Sequence, residues 1–238
     1  DLDKPVRDTE WLLDGIFELG AVHVLAGDSG EGKSLFTQAL ATAVANGDDS
    51  FCGRKLLTGR GGVLYVDEEN SPTLVAQRLK GLGLKKEHYP DLEYVAQAGV
   101  NLWAEPEKLL DEAFDRDLAL IVLDSQGAVS LGARENVSDD MTLLFRRAFG
   151  PLARASGAAV IVIHHVSKDP LAGPRGSTAI RSQADQALTF KRVKDGADGE
   201  FNIFANKERR RMAPLRGYFE GDLAEDGYIA VRAREEAM

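Results

Sequence analysis

Eight consecutive residues, Gly27-Asp28-Ser29-Gly30-Glu31-Gly32-Lys33-Ser34, carry the spacing G-x-x-x-x-G-K-S. Gly27, Gly30 and Gly32 let the backbone bend with its N–H groups turned inward. Lys33 adds a mobile positive charge, and Ser34 a hydroxyl able to hold a divalent cation. An apolar run at 21–26 precedes the turn, and Leu35, Phe36, Ala39, Leu40, Ala43 and Val44 follow it at 3.6-residue spacing. A strand, a glycine turn and a helix in that order can capture a polyphosphate on backbone N–H groups and the positive end of the helix. The candidate contacts are therefore Gly27, Asp28, Ser29, Gly30, Glu31, Gly32, Lys33, Ser34 and Leu35. Lys33 is expected to reach the β- and γ-phosphates, and Ser34 to bind Mg2+.

Such a turn needs an acid nearby. Residues 118–123 are apolar and Asp124 closes them, placed to hold the water shell of the Mg2+ on Ser34. A second apolar run at 63–66 ends in Asp67-Glu68-Glu69-Asn70, at the strand end where α/β proteins keep their chemistry. Glu68 and Glu69 are both candidates to orient and deprotonate an attacking water, and one base suffices. His164 and His165 end a third apolar run, where a side chain can touch a γ-phosphate. Neighbours along a strand face opposite sides, which argues against joint metal binding by the pair.

Two basic groups remain. Lys207 and Arg209 are two apart at an expected strand end and so project from one face. They suit insertion into a neighbouring subunit's site as an arginine finger, or else form a solvated basic edge. Lys168, Arg175 and Arg181 lie among glycines and serines in a loop able to clasp a nucleic-acid backbone, without the aromatic ladder of a stacking platform.

To position these groups the chain must alternate strands and helices. Strands are expected at 63–66, 92–96, 118–124 and 158–163, with helices at 72–82, 105–115 and 138–155 between them. Strands at 187–192 and 201–207 then form a hairpin, and 218–220 with 228–231 an antiparallel edge. The expected fold class is α/β, a mainly parallel sheet flanked by helices with C-terminal antiparallel hairpins. It is read as a single domain over 1–238, with a lead-in at 1–20 and a hairpin extension at 187–238. At 238 residues and 44% hydrophobic content the chain is long enough for a sheet covered on both faces. A net charge of -9 excludes indiscriminate coating of DNA by the whole surface, so nucleic-acid contact must be local. No apolar run approaches the ~20 residues of a membrane span and no leader is evident, so no membrane association and a cytoplasmic location are expected. The lone Cys52 excludes an internal disulfide.

Taken in order, these motifs resemble the RecA-like P-loop ATPases, and most closely the RepA-type hexameric replicative helicases of plasmids and phages, related to DnaB and more distantly to KaiC. The resemblance runs from about Trp11 to Arg211. It rests on Trp11-Leu-Leu-Asp-Gly15, the turn from Gly27 to Ser34, Tyr65-Val-Asp-Glu-Glu-Asn-Ser-Pro72 leading to Arg78-Leu79, and Leu123-Asp-Ser125 followed by Glu135-Asn136. It continues in His164-His-Val-Ser-Lys168, Arg175-Gly-Ser177 and Lys207-Glu-Arg209. The resemblance implies an oligomeric ATPase, a hexameric ring that uses ATP and Mg2+ and moves single-stranded DNA through loops near 125–136 and 168–177. It implies that Glu69 is the catalytic base, that His165 senses phosphate, that Lys168 opens a DNA-facing loop, and that Lys207 and Arg209 act in trans. In the RepA type the finger lies soon after the Arg-Gly-Ser motif, where this chain has Arg181 and then Asp185. Arg209, Lys207, Arg181 and Arg175 therefore all remain candidates. The alternative is a RecA- or KaiC-like scaffold or signalling ATPase that acts through protein partners.

Overall fold

Apolar runs that have no polar side to show must be covered on both faces, and here they become the middle of one sheet. The computed structural model describes residues 9–57, 61–114, 116–166, 180–193, 199–207, 212, 214–222 and 225–234. In chain order the elements are β1 (Trp11–Leu13), β2 (Phe17–Glu18), β3 (Val22–Gly27), α1 (Lys33–Asn46), β4 (Ser50–Phe51), β5 (Arg54–Lys55), β6 (Gly62–Asp67) and α2 (Pro72–Gly81). Next come β7 (Leu92–Ala96), α3 (Pro106–Phe114), β8 (Leu118–Asp124), α4 (Ser138–Leu144), α5 (Gly150–Ser156), β9 (Ala159–His165), β10 (Gln186–Arg192), β11 (Glu200–Lys207), β12 (Leu215–Glu220) and β13 (Ala230–Ala233).

Nine strands form the sheet in the order β13-β12-β11-β10-β3-β9-β8-β6-β7. From β10 to β7 every neighbour is parallel, and β11, β12 and β13 add an antiparallel edge. This is the expected architecture. The strand at 187–192 does pair with β11 as a hairpin, but its other edge runs parallel to β3, so it also extends the parallel sheet. The small pairs β1–β2 and β4–β5 were not expected, because strands of two or three residues carry no periodic signal.

Separate apolar clusters cover the two faces. One gathers α1, α2 and the β1–β2 pair against Tyr65, Leu120, Ile161, Leu188 and Phe201, with Phe36 of α1 in ring contact with Phe51, Phe190 and Phe201. The other gathers α3, α4 and α5 against Val24, Leu64, Ile121 and Val160. Each fully buried aliphatic or aromatic side chain stabilises by about 1.5–3 kcal/mol, so these layers fix the strand ends firmly. The expected helix at 138–155 is α4 and α5 joined through a π-helical turn, Phe145–Phe149, and Gly157 stops it at φ 68°. No helix among the described residues is long and apolar enough to cross a membrane.

The sheet also braces the glycine turn. A Cβ on Gly27 would lie 2.5 Å from the Phe190 carbonyl oxygen of β10, and one on Gly32 would lie 2.9 Å from the Phe219 ring of β12. The main-chain N–H of Arg192 donates to the Glu31 carboxylate. Because backbone at Phe190 cannot swing aside as a side chain would, Gly27→Ala should lower the unfolding free energy by about 1–3 kcal/mol. Denaturant unfolding checks this, and unchanged stability would mean that β3 and β10 separate without cost.

Candidate active site

Four parallel strands, β3, β9, β8 and β6, end side by side, and their last residues converge. Gly27 is in register with His165 across β3 and β9, and Asp67 with Asp124 across β6 and β8. Gly30 and Gly32 have φ of 83° and 99°, conformations that bend the turn over the start of α1. Gly32 caps α1 without a side-chain hydrogen bond. The first N–H groups of the helix thus lack both a carbonyl and a cap and present an anion site.

Lys33 is 2% exposed and folds back over the turn, its Nζ donating to the carbonyl oxygens of Gly27 (2.8 Å) and Asp28 (2.7 Å). An ammonium has three donors, so capacity remains for an anion. Burial lowers the Lys33 pKa against the pull of Asp124, Glu31, Glu69 and Asp28.

Asp124 is fully buried. Its Oδ2 accepts from Tyr65 Oη at 3.0 Å, while Oδ1 has no hydrogen-bond partner among the described residues. Burial first and the Asp67 charge second raise its pKa to about 6, with the Ser34 and Tyr65 hydroxyls pulling the other way. A buried carboxylate oxygen without a hydrogen-bond partner among the described residues, on an acid whose pKa the Ser34 hydroxyl pulls down, fits the hydrated divalent cation expected here.

The three acids at the end of β6 divide their work. Asp67, fully buried, accepts from the N–H groups of Glu69 (2.9 Å) and Asn70 (2.8 Å), from the Asn70 amide, and from Tyr94 Oη (2.6 Å). It shapes the turn. Glu68 binds the N–H groups of Ala98, Gly99 and Val100 at 2.9–3.2 Å. Its carboxylate is therefore engaged by the loop after β7. Glu69 accepts from the Ser125 hydroxyl and lies 3.3 Å from His165 Nε2. The His165 hydrogen bond, with help from Ser125 and Lys33, lowers its pKa despite partial burial. Glu69, Asp124 and His165 each offer an atom within 4.8 Å of the others.

The paired histidines face opposite sides, as strand alternation requires. His164 turns into the protein to bond Gln126 (3.1 Å), and burial lowers its pKa to about 4. Of the basic residues, Arg181 is exposed just before β10. Lys207 ends β11, but its side chain, together with Lys168, Arg175 and Arg209, lies outside the described residues. Tyr94, Thr37 and Gln38 were not singled out from the sequence, and Tyr65 and Ser125 entered only as motif members without a role. A tyrosine inside an otherwise apolar buried strand was the available signal, since a phenol there needs a partner.

A family model described as an AAA domain matches residues 1–170. Among solved structures, the RadB recombinase aligns with a TM-score of 0.61 at 18% identity, covering 92% of this chain and 93% of that one. A KaiC-like protein from the hyperthermophilic archaeon Pyrococcus horikoshii OT3 aligns with a TM-score of 0.63 at 16% identity, covering 95% and 99%. At these identities the likeness establishes a shared RecA-like fold. No curated protein matches in sequence.

Buried His164 and Asp124 set opposite pH responses. His164 titrates near 4 in the folded chain and near 6.5 unfolded, so its contribution to stability is present above 6.5 and lost as pH falls toward 4. Asp124 titrates near 6 folded and near 3.9 unfolded, so acidification from 6 to 4 favours the fold at this residue. Asp124→Asn should therefore steepen the fall in melting temperature between pH 6.5 and 4, and His164→Gln should flatten it. Melting curves across that range check both signs.

Proposed function

Because the chain belongs to the AAA domain family and folds as a RecA-like P-loop ATPase, we propose that it hydrolyses ATP with Mg2+ at the ends of β3, β9, β8 and β6. The observation that carries this reading is the convergence of the Glu69, Asp124 and His165 side chains on one another, with Asp124 and Glu69 both acting on the charge of Lys33. The turn from Gly27 to Ser34 and the start of α1 cradle the triphosphate, and Lys33 moves from the Gly27 and Asp28 carbonyls to the phosphate oxygens. The Ser34 hydroxyl and the Asp124 carboxylate would hold Mg2+, which neutralises developing charge on the phosphates. Glu69, oriented by Ser125 and His165, takes a proton from the attacking water. His165, bonded to that base, registers whether a γ-phosphate is present.

The reading extends to a homo-oligomer, a hexameric ring in which Lys207 and Arg209 complete a neighbour's site. It also extends to single-stranded DNA held by Lys168, Arg175 and Arg181, with ATP hydrolysis driving translocation as in a replicative helicase. The recombinase among the structural neighbours supports the DNA part. The charge of -9 favours the alternative, an ATP-dependent scaffold or signalling ATPase that works through protein partners.

Lys33→Ala should lose nucleotide binding or turnover. Glu69→Gln should keep ATP binding and lower kcat by about 10²–10⁴-fold, with Glu68→Gln within a few-fold of wild type. Steady-state kinetics beside a binding assay checks this, and a slow Glu68→Gln with a normal Glu69→Gln would move the base by one residue. Single-stranded DNA at low salt should stimulate turnover, the effect fading as salt rises. Neither stimulation nor binding would leave the scaffold reading.

A further inference from the structure

Behind the cluster lies a pair of tyrosines that hydrolysis as described above does not use. Tyr65 of β6 and Tyr94 of β7 are register partners whose rings stack at 4.5 Å and 10°. Each hydroxyl joins helix α1 to one strand-end acid. Tyr65 Oη donates to Asp124 Oδ2 (3.0 Å) and meets Thr37 Oγ1 at 2.8 Å, and the one Thr37 proton also lies within reach of the Lys33 (3.2 Å) and Ser34 (3.1 Å) carbonyl oxygens. Tyr94 Oη donates to Asp67 Oδ2 (2.6 Å) and accepts from Gln38 Nε2 (2.8 Å). Thr37 and Gln38 are consecutive, one turn beyond Lys33 and Ser34. The two acids are themselves register partners, both fully buried.

We infer that Tyr65 and Tyr94 are positioning residues with separate tasks, Tyr65 presenting Asp124 Oδ1 to the divalent cation and Tyr94 fixing the turn that carries Glu69. This rests on the ATPase reading and assigns it two further side chains. By taking Oδ2, Tyr65 leaves Oδ1 as the oxygen available and sets the carboxylate plane relative to Ser34. By holding Asp67, Tyr94 holds the acceptor of the Glu69 and Asn70 N–H groups, and so the base. The shared origin on α1 means that displacement of Lys33 and Ser34 by a bound triphosphate is felt by both acids at once.

The tests are Tyr65→Phe and Tyr94→Phe in the full chain, with two readouts. Electron paramagnetic resonance of Mn2+ taken up with ADP reports cation affinity without turnover, and steady-state kinetics reports kcat and the Mg2+ concentration for half-activation. Tyr65→Phe should weaken Mn2+ uptake about 10-fold and raise the Mg2+ requirement alike, with kcat recovering at high Mg2+. Tyr94→Phe should leave Mn2+ affinity within about two-fold and lower kcat about 10-fold at every Mg2+ concentration. Thr37→Val, which removes the hydroxyl that Tyr65 meets at constant shape, should move Mn2+ affinity in the same direction as Tyr65→Phe and serves if that variant does not fold. A purely structural pair would lower the melting temperature and leave Mn2+ affinity and kcat unchanged, which would overturn the assignment, as would equal changes in both variants. Wild-type chain that takes up no Mn2+ with ADP would instead overturn the ATPase reading beneath it.

Discussion

Two carboxylates without solvent stand next to each other where β6 and β8 end, and the surroundings of the site follow from keeping both. A buried carboxylate is destabilising by several kcal/mol unless donors surround it, and a like charge beside it adds to the penalty. Asp67 is fully supplied, by two main-chain N–H groups, an amide and a phenol. Asp124 is not, since its Oδ1 has no hydrogen-bond partner among the described residues. The buried ammonium of Lys33 supplies part of the balancing charge, since both Asp124 and Glu69 act on it.

That division explains which parts were legible from the amino acids alone. The phosphate turn is local: eight consecutive residues determine its shape, and its strand and helix fall where the apolar pattern ends and resumes. Asp124 was legible because one acid closing a run of six apolar residues has few other reasons to be there. The three acids at the end of β6 were harder. Their roles depend on distant partners, the N–H groups of residues 98–100 for Glu68, and Ser125 and His165 for Glu69. Strand alternation places Glu68 opposite Asp67 and Glu69, but not what it meets there.

Tyr65 shows the same limit from the other side. Its ring satisfies the apolar pattern of β6, and its hydroxyl partner is 59 positions along the chain. Periodicity reports which face of an element is buried, not which polar atom on that face is answered by another element. The parallel pairing of β10 to β3 escaped for the same reason, since the residues of β10 pattern equally well as one half of a hairpin. What the sequence makes explicit is the order of motifs, and what it withholds is lateral adjacency.

The tight seating of the glycine turn against β10 and β12 has a mechanical side. Gly27 lies against the Phe190 carbonyl, Gly32 against the Phe219 ring, and Glu31 is tethered to the main chain of Arg192. The turn thus packs directly on those strands at three points, so β10 or β12 cannot shift along the sheet without deforming it.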